Sequence, residues 1–145
     1  MSYCTYEDVG LLLSLTFDET LSKPLASKVT DIISLIASEI NMTVVAAGVA
    51  LPSSGTDFYN VLRLKNMHGA AGVVGVAYYG NTEDVAGSQG VFYRDSYNKF
   101  LLDLSENPTN YKNYKNAMVL ENQVTDGTYT EESLADVFIG NDWVD

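Results

Sequence analysis

The stretch NMHGAAGVVGVAYYG, Asn66 to Gly80, constrains the fold of this chain more than any other. It carries four glycines, the only histidine and two adjacent tyrosines. A membrane segment, a phosphate-binding loop and a closely packed helix are the three readings to weigh. No apolar run in the sequence approaches the ~20 residues that span a bilayer. The longest candidate, Gly69 to Tyr79, stops short and ends in tyrosine, glycine and acid. The order GAAGVVG lacks the lysine and hydroxyl of a Walker loop, is not GxGxxG, and follows no strand pattern. A helix remains. Gly69, Gly72 and Gly75 recur every third residue and drift slowly around one side. Each costs ~1 kcal/mol relative to alanine inside a helix, so the packing it admits must offset that loss. Such a side lets another backbone approach closely. Val73, Val74, Val76 and Ala77 surround it, which leaves little to face water. The stretch is therefore expected to be the central, buried helix of a helical domain or subunit interface.

The flanking pattern supplies its neighbours. Thr5 can cap a short helix with Glu7 and Asp8 in its first turn and Val9, Leu12 and Leu13 as its stripe. Thr16 to Lys23 is polar and leads to Pro24, a residue suited to a first helical turn. Val29, Ile32, Ile33, Ile36, Ile40 and Val44 recur at spacings of three and four. They predict a long amphipathic helix from Leu25 to about Ala47, ended by Gly48. Thr56 or Asp57 caps the third helix, from about Phe58 to Tyr79. Gly80, Asn81 and Thr82 break the chain, and Gly87 to Gly90 are expected to keep it loose. Tyr93, Tyr97, Phe100, Leu101 and Leu104 then mark a fourth helix from about Val91 to Ser105, stopped by Asn107-Pro108.

Beyond that point the character changes. Asn110 to Asn116 is polar, and Ala117 to Leu120 is a short apolar run. Asp126-Gly127 is a turn signal that would suit a small hairpin. Thr128 and Glu131 have capping-box spacing ahead of SLADVFI, which would suit a short helix. The expected architecture is all-α. A bundle of about four helices occupies residues 1–108, and an extended C-terminal arm occupies 109–145. Tyr111, Tyr114, Tyr129, Phe138 and Trp143 are the aromatic anchors of that arm, suited to pockets on a partner.

Charge and chemistry exclude more than they assign. The net charge of −11 disfavours nucleic-acid or anionic-lipid binding through a basic patch. The amino terminus has no basic region followed by an apolar core, so no secretory signal is expected. Cys4 is the only cysteine, which rules out an intramolecular disulfide and a cysteine-rich metal cage. It reads as a small apolar contact. His68 has Leu64, Lys65, Ala71 and Gly72 as its helical neighbours, none of them a usual metal ligand, and reads as a partly buried or interface histidine. The carboxylate pairs Glu7-Asp8, Asp18-Glu19, Glu83-Asp84 and Glu131-Glu132 sit at or near predicted helix starts, where the dipole accounts for them. No catalytic residue, cofactor site or metal site emerges, and no enzyme signature rises above noise.

The order of elements resembles a known family. YCTYEDVGLLLSL opens a short first helix, and SKPLASKVTDIISLIASEINMTVVAAGV makes the long second one. TDFYNVLRLKNMHGAAGVVGVAYYG makes the third, and GVFYRDSYNKFLLDLSENP the fourth. From Tyr3 to Pro108 the layout resembles the head–tail connector, or adaptor, proteins of tailed bacteriophages. The resemblance implies a small helical bundle that assembles with itself as a ring, commonly of about twelve copies, beneath the portal protein. DNA passes through the lumen of such a ring without sequence-specific binding. A carboxyl-terminal segment docks on the portal or a neighbouring subunit, and a further neck or tail protein binds the other side. The implied place is the virion neck, with synthesis in the host cytoplasm and no membrane partner. Acidity fits this role, because it keeps DNA from adhering to a channel. Two alternatives stand beside it: another neck or tail-completion component, and a small acidic intracellular regulatory protein.

Overall fold

The computed structural model describes residues 2–80 and 85–112, and every regular element among them is a helix. In chain order these are α1 (Tyr6–Leu13), α2 (Ala26–Ala46), α3 (Asp57–Tyr79) and α4 (Val85–Glu106). The chain is all-α with four helices in this region, as the periodicity predicts.

Local chemistry sets the boundaries. The Asp8 carboxylate accepts the Thr5 N–H at 3.0 Å and so occupies an orphan donor at the start of α1. The Thr56 hydroxyl accepts the Tyr59 N–H at 3.3 Å and starts α3. Pro24 does not lie in the first turn of α2, as the sequence suggests. It precedes the cap residue Leu25, and the helix begins at Ala26. The reason is Asp18, whose carboxylate accepts the N–H groups of Thr20, Leu21 and Ser22 at 2.8, 2.7 and 3.1 Å. The Asp18 carbonyl in turn accepts the Ala26 N–H at 2.8 Å. Asp18 thus organises a turn rather than neutralising a helix dipole at its own position. Those backbone donors, led by Leu21, hold its carboxyl below the usual range.

A second expectation fails at α4. Gly87 to Gly90 do not loosen the chain; the helix already begins at Val85 and runs through both glycines. Gly87 and Gly90 face α3, and that contact explains them. A Cβ placed on Gly90 would lie 2.7 Å from Gly75 Cα, and one on Gly87 would strike the Tyr79 carbonyl.

The α3–α4 pair is the frame of the bundle. Gly69 faces Tyr97, Gly72 faces the Arg94 backbone, and Gly75 faces Gly90 and Ala86. Residue numbers climb on one helix as they fall on the other, so the two run antiparallel. At Gly75 an added Cβ would sit 2.6 Å from both Gly90 Cα and Ala86 O. Gly69 also faces α2, with Ile36 Cγ2 at 2.6 Å from such a Cβ.

Around α3 the core forms two clusters. One gathers α1, the first half of α2 and the second half of α3, through Val9, Leu13, Val29, Ile33, Ala70 and Val74. The other gathers the later half of α2, the first half of α3 and the end of α4, through Ile40, Val44, Phe58, Leu62, Phe100 and Leu104. Asn66, the one fully buried polar residue among those described, lies on α3 between Leu62 and Ala70. Its Oδ1 accepts the Tyr3 N–H at 3.0 Å, and its Nδ2 donates to the Ile33 carbonyl at 3.1 Å. One side chain therefore ties the N-terminal segment and α2 to α3.

By length and composition α2 is apolar enough to cross a membrane, which the sequence reading did not anticipate. Many of its polar positions are Ser, Thr and Asn rather than charges, so a count of unbroken apolar residues misses it. Its Ala26, Val29, Ile32, Ile33, Ala37, Ile40 and Val44 are buried in the bundle.

The α3–α4 approach generates a sharp expectation. At an exposed helical site Gly→Ala would stabilise by ~1 kcal/mol. Gly75→Ala should instead destabilise by about 2–3 kcal/mol, because the new Cβ meets backbone that cannot turn aside. Chemical denaturation followed by circular dichroism measures this. A raised midpoint would show that the helices are not in backbone contact at Gly75.

Candidate functional site

The chemistry-bearing side chains of the described residues concentrate on one face of the α3–α4 pair. Lys65 and His68 are one turn apart on α3. Ser96, Lys99, Phe100 and Asp103 follow one another along α4 at helical spacing. Lys65, Ser96, Lys99, Phe100, Asp103 and Tyr111 line an open pocket of about 420 Å³.

Ser96 is its hub. Lys65 Nζ donates to Ser96 Oγ at 3.3 Å, and Ser96 Oγ lies 3.1 Å from His68 Nδ1. The Ser96 oxygen accepts from Lys65 and shares a hydrogen bond with His68 Nδ1 whose direction follows the imidazole tautomer. The ring also lies tilted against Tyr93, with centroids 5.0 Å apart. Burial, helped by the Lys65 charge, pushes the His68 pKa down to about 4. Burial likewise lowers that of Lys65. His68 is therefore half-buried, as its neighbours suggest, and its lowered pKa leaves it neutral.

The Ser96–His68 contact has the reach of a nucleophile and base, but among the described residues no carboxylate is hydrogen-bonded to the imidazole. The pocket's carboxylate is Asp103, which accepts from Asn107 Nδ2 at 3.0 Å and from Tyr111 Oη at 2.6 Å. Among the described residues no group of three or more His, Cys, Asp and Glu is placed to hold a metal ion. Cys4 is half-buried against the core, and burial pushes its thiol up to about 12, with Asp8 adding to the effect. It is a packing residue, not a poised nucleophile.

Tyr111 belongs to the bundle. The helical turn at 108–112 follows α4, and the compact unit reaches Lys112. The Tyr111 ring meets Phe100 edge-on at 5.7 Å and Phe58 at 6.1 Å between centroids. The Tyr111 ring thus packs on aromatic residues of its own bundle. Tyr114, Tyr129, Phe138 and Trp143 lie outside the described residues. Sequence reasoning missed the cluster around Ser96. Its residues come from two helices, and only the register set by Gly69 and Gly72 against Tyr97 and Arg94 brings them together.

A second surface stands out on α2. Asp31, Leu35, Ser38, Met42 and Val45 fall on one outward stripe, with Leu35 71% and Met42 72% exposed. The buried stripe was legible in the sequence; this apolar outer one was not singled out.

His68 supplies a clean pH signature. Folding holds its pKa near 4 against an ordinary 6.5, so the unfolded chain binds the proton first as pH falls. Stability should drop between pH 6.5 and 4 and lose nothing more from this group below that. The loss is about 1–2 kcal/mol after allowing for solvent screening at a half-buried site. The single imidazole makes it directly visible by NMR. A His68 titration midpoint near 6.5 in the folded protein would contradict the packed, Lys65-adjacent environment.

No protein-family model, no curated protein and no solved structure matches this chain.

Proposed function

We propose that this chain is a structural, non-enzymatic subunit of the head–tail junction of a tailed bacteriophage, a connector that assembles as a homo-oligomeric ring beneath the portal. The observation that carries the reading is the order and character of the helices. A short capped α1 leads to a long α2, a small-residue α3 and an aromatic, charged α4 packed antiparallel on it. The resemblance implies a small helical bundle, and this arrangement supports that reading.

Two further features support it. The net charge of −11 suits a wall past which DNA must slide without adhering. The outward Leu35, Met42 and Val45 stripe on α2 suits contact with another protein. The reading needs no membrane, because α2 buries its other face in the bundle. Within it, the bundle makes the subunit contacts and Asn113 to Asp145, with Tyr114, Tyr129, Phe138 and Trp143, contacts the portal. A downstream neck or tail protein occupies the opposite side.

Truncation separates folding from docking. A chain of residues 1–112 should still fold as a helical bundle with a cooperative unfolding transition. A chain of residues 1–109 should unfold earlier, by about 1–2 kcal/mol, having lost the Tyr111 ring contacts and its bond to Asp103. In an assay joining portal-bearing heads to tails, residues 1–112 should fail. Normal joining by that truncated chain would remove the portal assignment of the last segment.

A further inference from the structure

The pocket around Ser96 holds an electrostatic mismatch. Acids outnumber bases 19 to 8 in this chain, so each cation has carboxylates to choose from. Arg63 takes Asp8 at 3.1 Å and Arg94 lies 3.6 Å from Asp95. Lys65 and Lys99, which share the pocket, form no ion pair among the described residues. Lys65 is half-buried, with its Nζ over the Phe100 ring at 5.8 Å and Ser96 Oγ at 3.3 Å. A half-buried ammonium held only by a hydroxyl and a ring face is underpaired. Asp103 also lines the pocket, four residues from Lys99 on α4, but it makes no ion pair with either lysine and is held instead by Asn107 and Tyr111. His68 is neutral and hydrogen-bonded to Ser96, so it offers Lys65 no counter-charge and adds no second positive one.

The pocket therefore sets two ammonium groups against the single carboxylate of Asp103, beside a hydroxyl and an aromatic floor of Phe100 and Tyr111, and the remaining positive charge is in place to receive a second carboxylate. The source of that carboxylate follows from the charge of the chain. Two copies of so acidic a protein repel each other over distance, and a contact that sets a cation against an acid offsets that repulsion. Lys23, Lys28 and Lys112 likewise form no ion pair among the described residues, but Lys65 and Lys99 are the two that share one pocket.

We propose that the Lys65–Ser96–Lys99 pocket is a self-association site, which receives an aspartate or glutamate side chain from a second copy of this chain. The proposal rests on the ring reading above and names the surface that the ring would use. A ring built by rotation is heterologous, so the pocket on one copy meets a different, acidic patch on the next. Lys65 supplies the more desolvated contact and Lys99 the solvent-facing one, while the Ser96 hydroxyl orients Lys65.

The test uses full-length protein. Sedimentation velocity across a concentration series compares the wild type with Lys65→Gln and Lys99→Gln, at low and at high salt. Zero-length carbodiimide cross-linking of an equal mixture of ¹⁴N- and ¹⁵N-labelled chains then identifies the contact. The proposal predicts a salt-weakened oligomer whose dissociation constant rises about tenfold or more in each variant. It also predicts mixed-isotope cross-links from Lys65 or Lys99 to a carboxylate. Lys99 is exposed, so its substitution leaves the fold intact, and circular dichroism checks the same for Lys65→Gln. A wild-type protein that stays monomeric throughout would overturn self-association through this pocket, while the connector reading would stand on its own test in virions. Oligomers that form equally well in both variants, without mixed cross-links at either lysine, would overturn the pocket and leave the ring itself intact.

Discussion

Between Gly75 and Gly90 no side chain separates α3 from α4, and much of the bundle follows from that contact. Two helices that meet through ordinary side chains can slide by small steps. Two that meet backbone to backbone have one depth and one register, because any Cβ at the crossing collides. Gly69 against Tyr97 and Gly72 against Arg94 continue the seam in the antiparallel sense. That register places Lys65 beside Ser96 and Ser96 beside His68. It also sets Phe100 where Tyr111 can close over it. The polar pocket is thus a consequence of the glycine seam.

Asn66 plays the complementary part on the other side of α3. A buried amide in an apolar core is costly unless its groups are paired. Here Tyr3 and Ile33 use its oxygen and its nitrogen, and they belong to segments far apart in sequence. An apolar residue at this position would fill the space but would not fix where the N-terminal segment lies against α2. The two core clusters meet at this level, with Ile36 packing against both.

Much of the fold was legible in the sequence, for identifiable reasons. The α2 stripe has an unbroken three-and-four spacing, and Thr5 and Thr56 are strong caps, so α1, α2 and α3 fall close to where patterning puts them. Patterning failed where local and tertiary preferences conflict. Gly87 and Gly90 disfavour a helix taken alone, yet α4 runs through them because α3 occupies the space their side chains would need. Pro24 reads as a helix start, but the turn built on Asp18 delays α2 to Ala26. The site was less legible. Lys65, His68, Ser96 and Lys99 carry no motif, and only the pairing of two helices joins them. Tyr111 reads as an arm residue by its polar neighbours, yet its ring finds Phe58 and Phe100.

The central functional claim is a place in the virion, and a gold-labelled antibody against this chain, applied to intact purified particles, tests it most directly. The account predicts label at the head–tail junction, on the axis between capsid and tail. Particles shown by mass spectrometry to lack the chain, although it is made during infection, would contradict the connector reading and favour an intracellular role for this acidic bundle.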